Sequence, residues 1–126
     1  MSLPDLFERY DAAWLHHDLE TIVSLHTDDS VFHLHAGDAP VEGREAIRAA
    51  FGEVLRTYTD LRFERRSVRY GDDFIVFEYV MRTGGVSMDA VDVFTVTDGL
   101  VARKETYVDA TVLAAAQAAA GITPTG

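Results

Sequence analysis

Residues 74–99 decide the fold, and they read FIVFEYVMRTGGVSMDAVDVFTVTDG. Gly84-Gly85 predicts a two-residue hairpin turn, and Asp98-Gly99 is a second turn signal. The segments around these turns are rich in Val, Phe, Tyr and Thr, which is typical of β-strands. The pattern therefore predicts three consecutive antiparallel strands, over residues 74–82, 86–96 and 100–108.

The alternating pattern extends upstream over residues 61–70, with a change of parity at Arg65-Arg66. Such a change indicates a β-bulge, which bends a sheet. Ahead of this strand, apolar residues at helical spacing predict a helix from about Arg44 to Tyr58. At the other end of the chain, the alanine-rich segment 111–120 predicts a short helix that stops at Gly121.

The first part of the chain predicts two helices and a strand. The first helix ends near His16-His17, and Asp18 can cap a short second helix that closes at Asp28-Asp29. A strand over residues 30–35 and a loop follow. The order is helices, one strand, a helix and then a four-stranded meander, so the fold class is α+β.

Length and composition narrow the class of protein. With 126 residues the chain is expected to form a single domain over residues 1–126. The formal net charge of −10 makes nucleic acid and membrane surfaces poor partners. The absence of cysteine excludes disulfides, thiol catalysis and thiolate metal sites. We expect a soluble, cytoplasmic protein without a targeting or membrane-spanning segment.

The strand over residues 74–81 is apolar on both of its faces. An antiparallel strand covered on one side only should alternate between apolar and polar residues. One face can pack on the helices, so the other needs a second cover. We therefore expect a homodimer joined through the outer sheet face, with contributions from Val76, Val80, Val91 and Val93.

Several short motifs follow one another in a characteristic order along nearly the whole chain. They are Ala12-Ala13-Trp14, Asp18-Leu19, Leu25 with Asp28-Asp29, Gly43-Arg44-Glu45-Ala46-Ile47, DVFTVTDG over residues 92–99, and Tyr107-Val108-Asp109. In this order they resemble the nuclear transport factor 2-like superfamily, and within it the SnoaL-like group that includes ketosteroid isomerase. The resemblance implies a cystatin-like, cone-shaped α+β barrel, in which a curved antiparallel sheet packs on about three helices from the N-terminal half.

The resemblance also implies a pocket for a small apolar organic ligand, with no cofactor. It does not select one activity, because the fold hosts isomerases, cyclases, epoxide hydrolases, dehydratases and proteins without catalysis. We expect a cofactor-independent enzyme that performs proton transfer, isomerisation, cyclisation or dehydration on an apolar carbonyl compound. A non-catalytic carrier or sensor, and a dimeric interaction domain, are the alternatives.

Asp92 is the main candidate for chemistry. The Gly84-Gly85 hairpin places Phe77 opposite Asp92, so the carboxyl group shares a face with apolar side chains. Desolvation should raise the pKa of Asp92, and a neutral acid can donate a hydrogen bond to a developing enolate. Alternatively, Asp92 faces solvent on the other side or is a buried, hydrogen-bonded core residue.

The resemblance assigns roles to further residues. Asp92 matches the protonated aspartate of ketosteroid isomerase, and Tyr10 matches its oxyanion-hole tyrosine. The position of the aspartate base is occupied by Leu34, which cannot move a proton. The neighbouring His33 and His35 are chemically suited to be the base, although a regular strand turns both away from the face of Leu34.

The two histidines also raise the question of a metal. His33 and His35 could ligate one together with His26 or Asp38, but this spacing is unspecific. We expect no metal site.

The sequence is compatible with two registers of the last hairpin. A two-residue turn places Glu105 opposite Asp92, whereas a three-residue turn places Lys104 there with Thr106 beside it; the resemblance favours the second form. In epoxide hydrolases and SnoaL cyclases the acid on this strand aligns with Thr106, so neither mechanism carries over. Beside the catalytic candidates, the pocket wall is expected to include Trp14, Leu34, Tyr58, Phe77, Tyr79, Met88, Lys104 and Thr106.

Overall fold

A computed structural model describes residues 1–122 and contains all the predicted helices and strands, together with a short strand, Val41–Glu42, in the segment predicted as a loop. In chain order they are α1 (Leu3–Leu15), α2 (Leu19–Ser24), β1 (His26–His35), β2 (Val41–Glu42), α3 (Arg44–Thr57), β3 (Arg62–Tyr70), β4 (Phe74–Thr83), β5 (Val86–Thr97), β6 (Leu100–Val108) and α4 (Ala110–Ala119). The predicted α+β class is confirmed. None of the helices within the described residues is long and apolar enough to cross a membrane.

The six strands form one sheet in the order β2-β1-β6-β5-β4-β3. All neighbouring strands are antiparallel except β1 and β6, which run parallel. The register of β3 against β4 shifts between Arg65 and Ser67, so the predicted bulge is present. The Gly84-Gly85 hairpin pairs Phe77 with Asp92, as its two-residue length requires.

The last hairpin differs from both predicted registers. Asp98 and Gly99 have positive φ values of 53° and 78° and form a two-residue turn. Val96 pairs with Val101 but Thr95 pairs with Arg103, so one extra residue is accommodated in β6. Because of this bulge, the residue opposite Asp92 is Thr106, and neither Glu105 nor Lys104. Lys104 and Thr106 nevertheless share the face of Asp92, because residues two apart on a strand point the same way.

The first strand begins earlier than predicted. Asp28-Asp29 does not close a helix: α2 ends at Ser24, and Leu25 accepts a backbone hydrogen bond from Val101 of β6. The two aspartates lie in an irregular part of β1, where its register against β6 shifts between His26 and Val31. Two consecutive aspartates are only a weak signal for the end of a helix. Here Arg44 binds Asp28 and the backbone oxygen of His26, and these contacts stabilise the extended conformation instead.

The core lies between the helices and one face of the sheet. Its fully buried members include Leu6 and Phe7 of α1, Phe51 of α3 and Phe94 of β5. On the outer face, Val80 is only 3% exposed in the single chain, so it has little area left to bury against a partner. The other three valines expected at a dimer interface, Val76, Val91 and Val93, are partly exposed.

Candidate active site

A cavity of about 580 Å³ lies between the inner face of the sheet and the helices α1, α3 and α4. Its wall is mostly aromatic and aliphatic, and it includes residues from every strand except the short β2. Of the residues proposed from sequence, those that line it are Tyr10, Trp14, Leu34, Tyr58, Phe77, Tyr79, Met88, Asp92, Lys104 and Thr106. The helix α4 closes one side through Leu113, Ala116 and Gln117.

Asp92 lies on this wall with 3% of its surface exposed. Its Oδ1 atom accepts two hydrogen bonds, from the Tyr79 hydroxyl at 3.0 Å and from the Thr106 hydroxyl at 2.7 Å. Burial raises the pKa of Asp92, and the nearby Lys104 and the two hydroxyl donors partly oppose this rise. The carboxyl group is therefore held rigidly through one oxygen, and both donors favour its ionised form.

Lys104 is the only lysine of the chain, and it is 6% exposed. Its ammonium nitrogen lies between 4.6 and 5.9 Å from the centres of five aromatic rings. These rings belong to Tyr10, Trp14, Phe32, Phe51 and Phe94. Cations are attracted to the faces of aromatic rings, so the five rings form a cage for the ammonium group. We call this set the aromatic cage.

Asp92 and Lys104 form a buried pair in which Nζ lies 3.8 Å from Oδ2. This distance is too long for a hydrogen bond, and Oδ2 accepts none from another side chain within residues 1–122. Burial lowers the pKa of Lys104 while it raises the pKa of Asp92. The two shifts bring the ion pair and the neutral pair closer in free energy than they are in water.

Tyr10 lines the cavity together with Asp92, but among the described residues it makes no hydrogen bond to that carboxyl group. Its hydroxyl lies 2.8 Å from Nε2 of His26, and Nδ1 of that histidine lies 2.9 Å from the Ser30 hydroxyl. Burial lowers the pKa of His26 to about 3, so this ring is neutral at physiological pH. No local signal in the sequence indicates this contact, because Tyr10 and His26 lie on α1 and β1 and meet only when the two elements pack together. Tyr79 takes the position beside Asp92 instead.

His33 and His35 lie on the sheet face opposite the cavity, so neither is placed to act as its base. His33 Nε2 lies 2.9 Å from the backbone oxygen of Asp38, and His35 stacks on Tyr107. The regular alternation of β1 puts Leu34 inside and its two neighbours outside. Together with Glu105 the two histidines bring their ligand atoms within 4.8 Å of one another, close enough to share a metal ion but outside the cavity.

The other charged side chains of the cavity wall are paired with arginines. Asp11 binds Arg65, and Glu53 binds Arg56. The indole N–H of Trp14 is buried and has no hydrogen-bond partner among the described residues. Among the charged residues of the wall within residues 1–122, Asp92 and Lys104 are the buried ones.

Comparison with known proteins agrees with this architecture. The family model of the SnoaL-like domain matches residues 7–104. No protein of curated function matches the sequence.

Among solved structures, similarity extends over most of the chain. A protein with a ketosteroid isomerase-like fold from Catenulispora acidiphila, in complex with trimethylamine, is 16% identical with a TM-score of 0.78, over 97% of this chain and 96% of its own. A proposed isomerase from Bacillus subtilis is 18% identical with a TM-score of 0.78, over 91% of each chain. A protein with a cystatin-like fold from Silicibacter pomeroyi is 19% identical with a TM-score of 0.78, over 92% of this chain and 82% of its own. The fold implied by the sequence resemblance is confirmed.

Proposed function

The chain belongs to the SnoaL-like domain family, and from this premise we propose that it is an enzyme acting on a small, mostly apolar carbonyl compound. The reaction is a proton transfer next to the carbonyl group, of the kind that begins an isomerisation, a dehydration or a cyclisation. The observation that carries the proposal is the buried Asp92–Lys104 pair on the wall of an apolar cavity.

The two members of the pair have complementary roles. The Lys104 ammonium donates a hydrogen bond to the carbonyl oxygen of the substrate and stabilises the negative charge that develops there. Asp92 removes a proton from the adjacent carbon through Oδ2, the oxygen that Tyr79 and Thr106 leave free. The raised pKa of Asp92 suits this role, because a general base works best when its pKa lies near the working pH.

The cavity supports the same chemistry by excluding water. An aromatic and aliphatic wall lowers the local dielectric constant, so the attraction between the ammonium and an enolate oxygen is stronger than in solution. The unpartnered Trp14 N–H can donate to a second polar atom of the substrate. Return of the proton at a different carbon completes an isomerisation.

The aromatic cage, which already holds the Lys104 ammonium group, favours a neutral ligand over a cationic one. The structural neighbour from Catenulispora acidiphila holds trimethylamine. In this chain the aromatic cage already surrounds the ammonium group of Lys104. A second cation there would be repelled by the first, whereas a carbonyl oxygen would be attracted to it.

Two measurements test the proposal without knowledge of the natural substrate. Trp14 is the only tryptophan and lines the cavity, so its fluorescence reports binding of simple ketones such as cyclohexanone or 2-tetralone. Exchange of the ketone α-protons in deuterated water, followed by NMR, reports proton transfer. We expect binding and accelerated exchange with the wild type.

Two variants of β5 supply the comparison. Asp92→Asn should retain binding and lower the exchange rate by about 10²–10⁴-fold, the usual contribution of a positioned base. Asp89→Asn is the matched control, because Asp89 is exposed on the same strand and faces Arg66 on the surface. Binding without exchange in the wild type would favour the carrier. Absence of both would refute the proposed function.

A further inference from the structure

The chain uses lysine once and arginine ten times, and its one lysine lies inside the cavity. Arginine stays protonated in proteins, whereas a buried lysine can release its proton and become a nucleophile. The remaining amine of the chain is the N-terminus at Met1, which is exposed. The single side chain able to attack a carbonyl carbon as a free amine therefore lies where the carbonyl ligand is proposed to bind.

From this placement we propose that Lys104 captures an aldehyde or ketone ligand covalently, as a Schiff base. The inference rests on the proposed function, because it takes a carbonyl ligand as given. It goes further in making Lys104 a nucleophile as well as a hydrogen-bond donor.

The pair supplies the proton movements that the reaction needs. Lys104 gives one proton to Asp92 Oδ2, which lies 3.8 Å away and accepts no hydrogen bond from another side chain within residues 1–122. The free amine attacks the carbonyl carbon, and the carbonyl oxygen receives protons as its bond to carbon breaks and water leaves. In total, the ammonium group and the carbonyl compound form an iminium ion and one water molecule, with the positive charge retained and no oxidant or reductant required.

The surroundings stabilise the product of this step. An iminium ion is a cation at the position of the original ammonium nitrogen, so the aromatic cage and Asp92 interact favourably with it as well. The iminium has fewer N–H groups than the ammonium and loses fewer hydrogen bonds with water when buried. The free-energy cost of burial against the apolar wall is therefore smaller for the iminium ion than for the ammonium group.

Reduction traps the adduct and locates it. The folded protein is incubated with benzaldehyde and sodium cyanoborohydride at neutral pH, and intact mass followed by peptide mapping is measured. We expect one adduct, on Lys104, with a mass increase equal to that of benzaldehyde less one oxygen atom. Labelling of Lys104 should exceed that of the N-terminus by about tenfold or more, although an ordinary lysine is far more protonated at this pH than an α-amino group. Urea should remove this preference.

One variant separates the alternatives. Lys104→Arg should abolish the internal adduct and leave N-terminal labelling unchanged. The peptide map of the wild type shows which amine carries the adduct, even if a variant fails to fold. If benzaldehyde changes the Trp14 fluorescence but labels only the N-terminus, the Schiff base is refuted while the proposed function stands. If benzaldehyde and the ketones neither bind nor react, both proposals fail.

Discussion

Replacing Lys104 by methionine tests the energetics on which the proposed chemistry depends. Methionine has a similar length and can occupy the aromatic cage without a charge. The substitution leaves Asp92 buried beside its two hydroxyl donors but without a counter-charge. We expect the variant to be markedly less stable than the wild type near neutral pH.

The separation of the pair sets the size of the effect. At the observed 3.8 Å between Nζ and Oδ2, two unit charges interact by about 4 kcal/mol with an effective dielectric constant near 20. Removing one partner of a buried pair costs about 3–5 kcal/mol in general, which agrees with this value. The double variant Asp92→Asn/Lys104→Met removes both charges and keeps an acceptor for Tyr79 and Thr106. It should recover most of the lost stability.

The dependence on pH has a defined sign. Burial raises the pKa of Asp92, and loss of Lys104 removes the largest influence that opposes this rise. Above the ordinary aspartate value the folded variant then keeps a proton that the unfolded chain has lost. Stability must therefore fall as the pH rises through this window, by up to about 1.4 kcal/mol per pH unit.

Urea denaturation at mildly acidic and mildly alkaline pH measures these quantities. We expect Lys104→Met to be less destabilised at the acidic pH, and the double variant to show no such difference relative to the wild type. A Lys104→Met protein as stable as the wild type at both pH values would refute the reasoning. That result would mean that the pair is already neutral and contributes no charge interaction.

Four further predictions follow from other parts of the structure. Burial lowers the pKa of His26 to about 3. Between this pH and 6.5, the ordinary pKa of histidine, the unfolded chain therefore binds a proton that the folded chain does not. The free energy of unfolding should therefore decrease as the pH is lowered over this range. In urea titrations, His26→Gln should make this decrease smaller. Lys104→Ala should empty the aromatic cage beside Asp92 and create a site for tetramethylammonium, detectable by calorimetry and absent in the wild type. Light scattering should show a homodimer that buries Val76, Val91 and Val93 of the outer sheet face. Burial of each such apolar side chain contributes about 1.5–3 kcal/mol to association. A monomer at micromolar concentration would contradict this prediction. The wild type should be a very poor ketosteroid isomerase, and Leu34→Asp should raise that activity, because Leu34 lines the cavity in register with Thr106 and Asp92; no gain in a folded variant would count against steroid binding.

The sequence by itself determined the features that depend on neighbours along the chain. Turn length sets the register of a hairpin, so Gly84-Gly85 was enough to place Phe77 opposite Asp92. Strand alternation likewise placed Leu34 inward and predicted that His33 and His35 point away from it. The raised pKa expected for Asp92 agrees with its burial, since a carboxyl group among apolar neighbours on one face has no access to water.

Only the tertiary structure decided which groups meet in the cavity. A single extra residue in β6 changed the partner of Asp92 to Thr106, and no turn signal announces such a bulge. The cage around Lys104 draws rings from α1, β1, α3 and β5, elements that are far apart in sequence. Tyr10 meets His26 rather than Asp92 for the same reason. Local periodicity specifies the face on which a side chain lies, whereas the distances between side chains on different elements depend on how helices and sheet pack together.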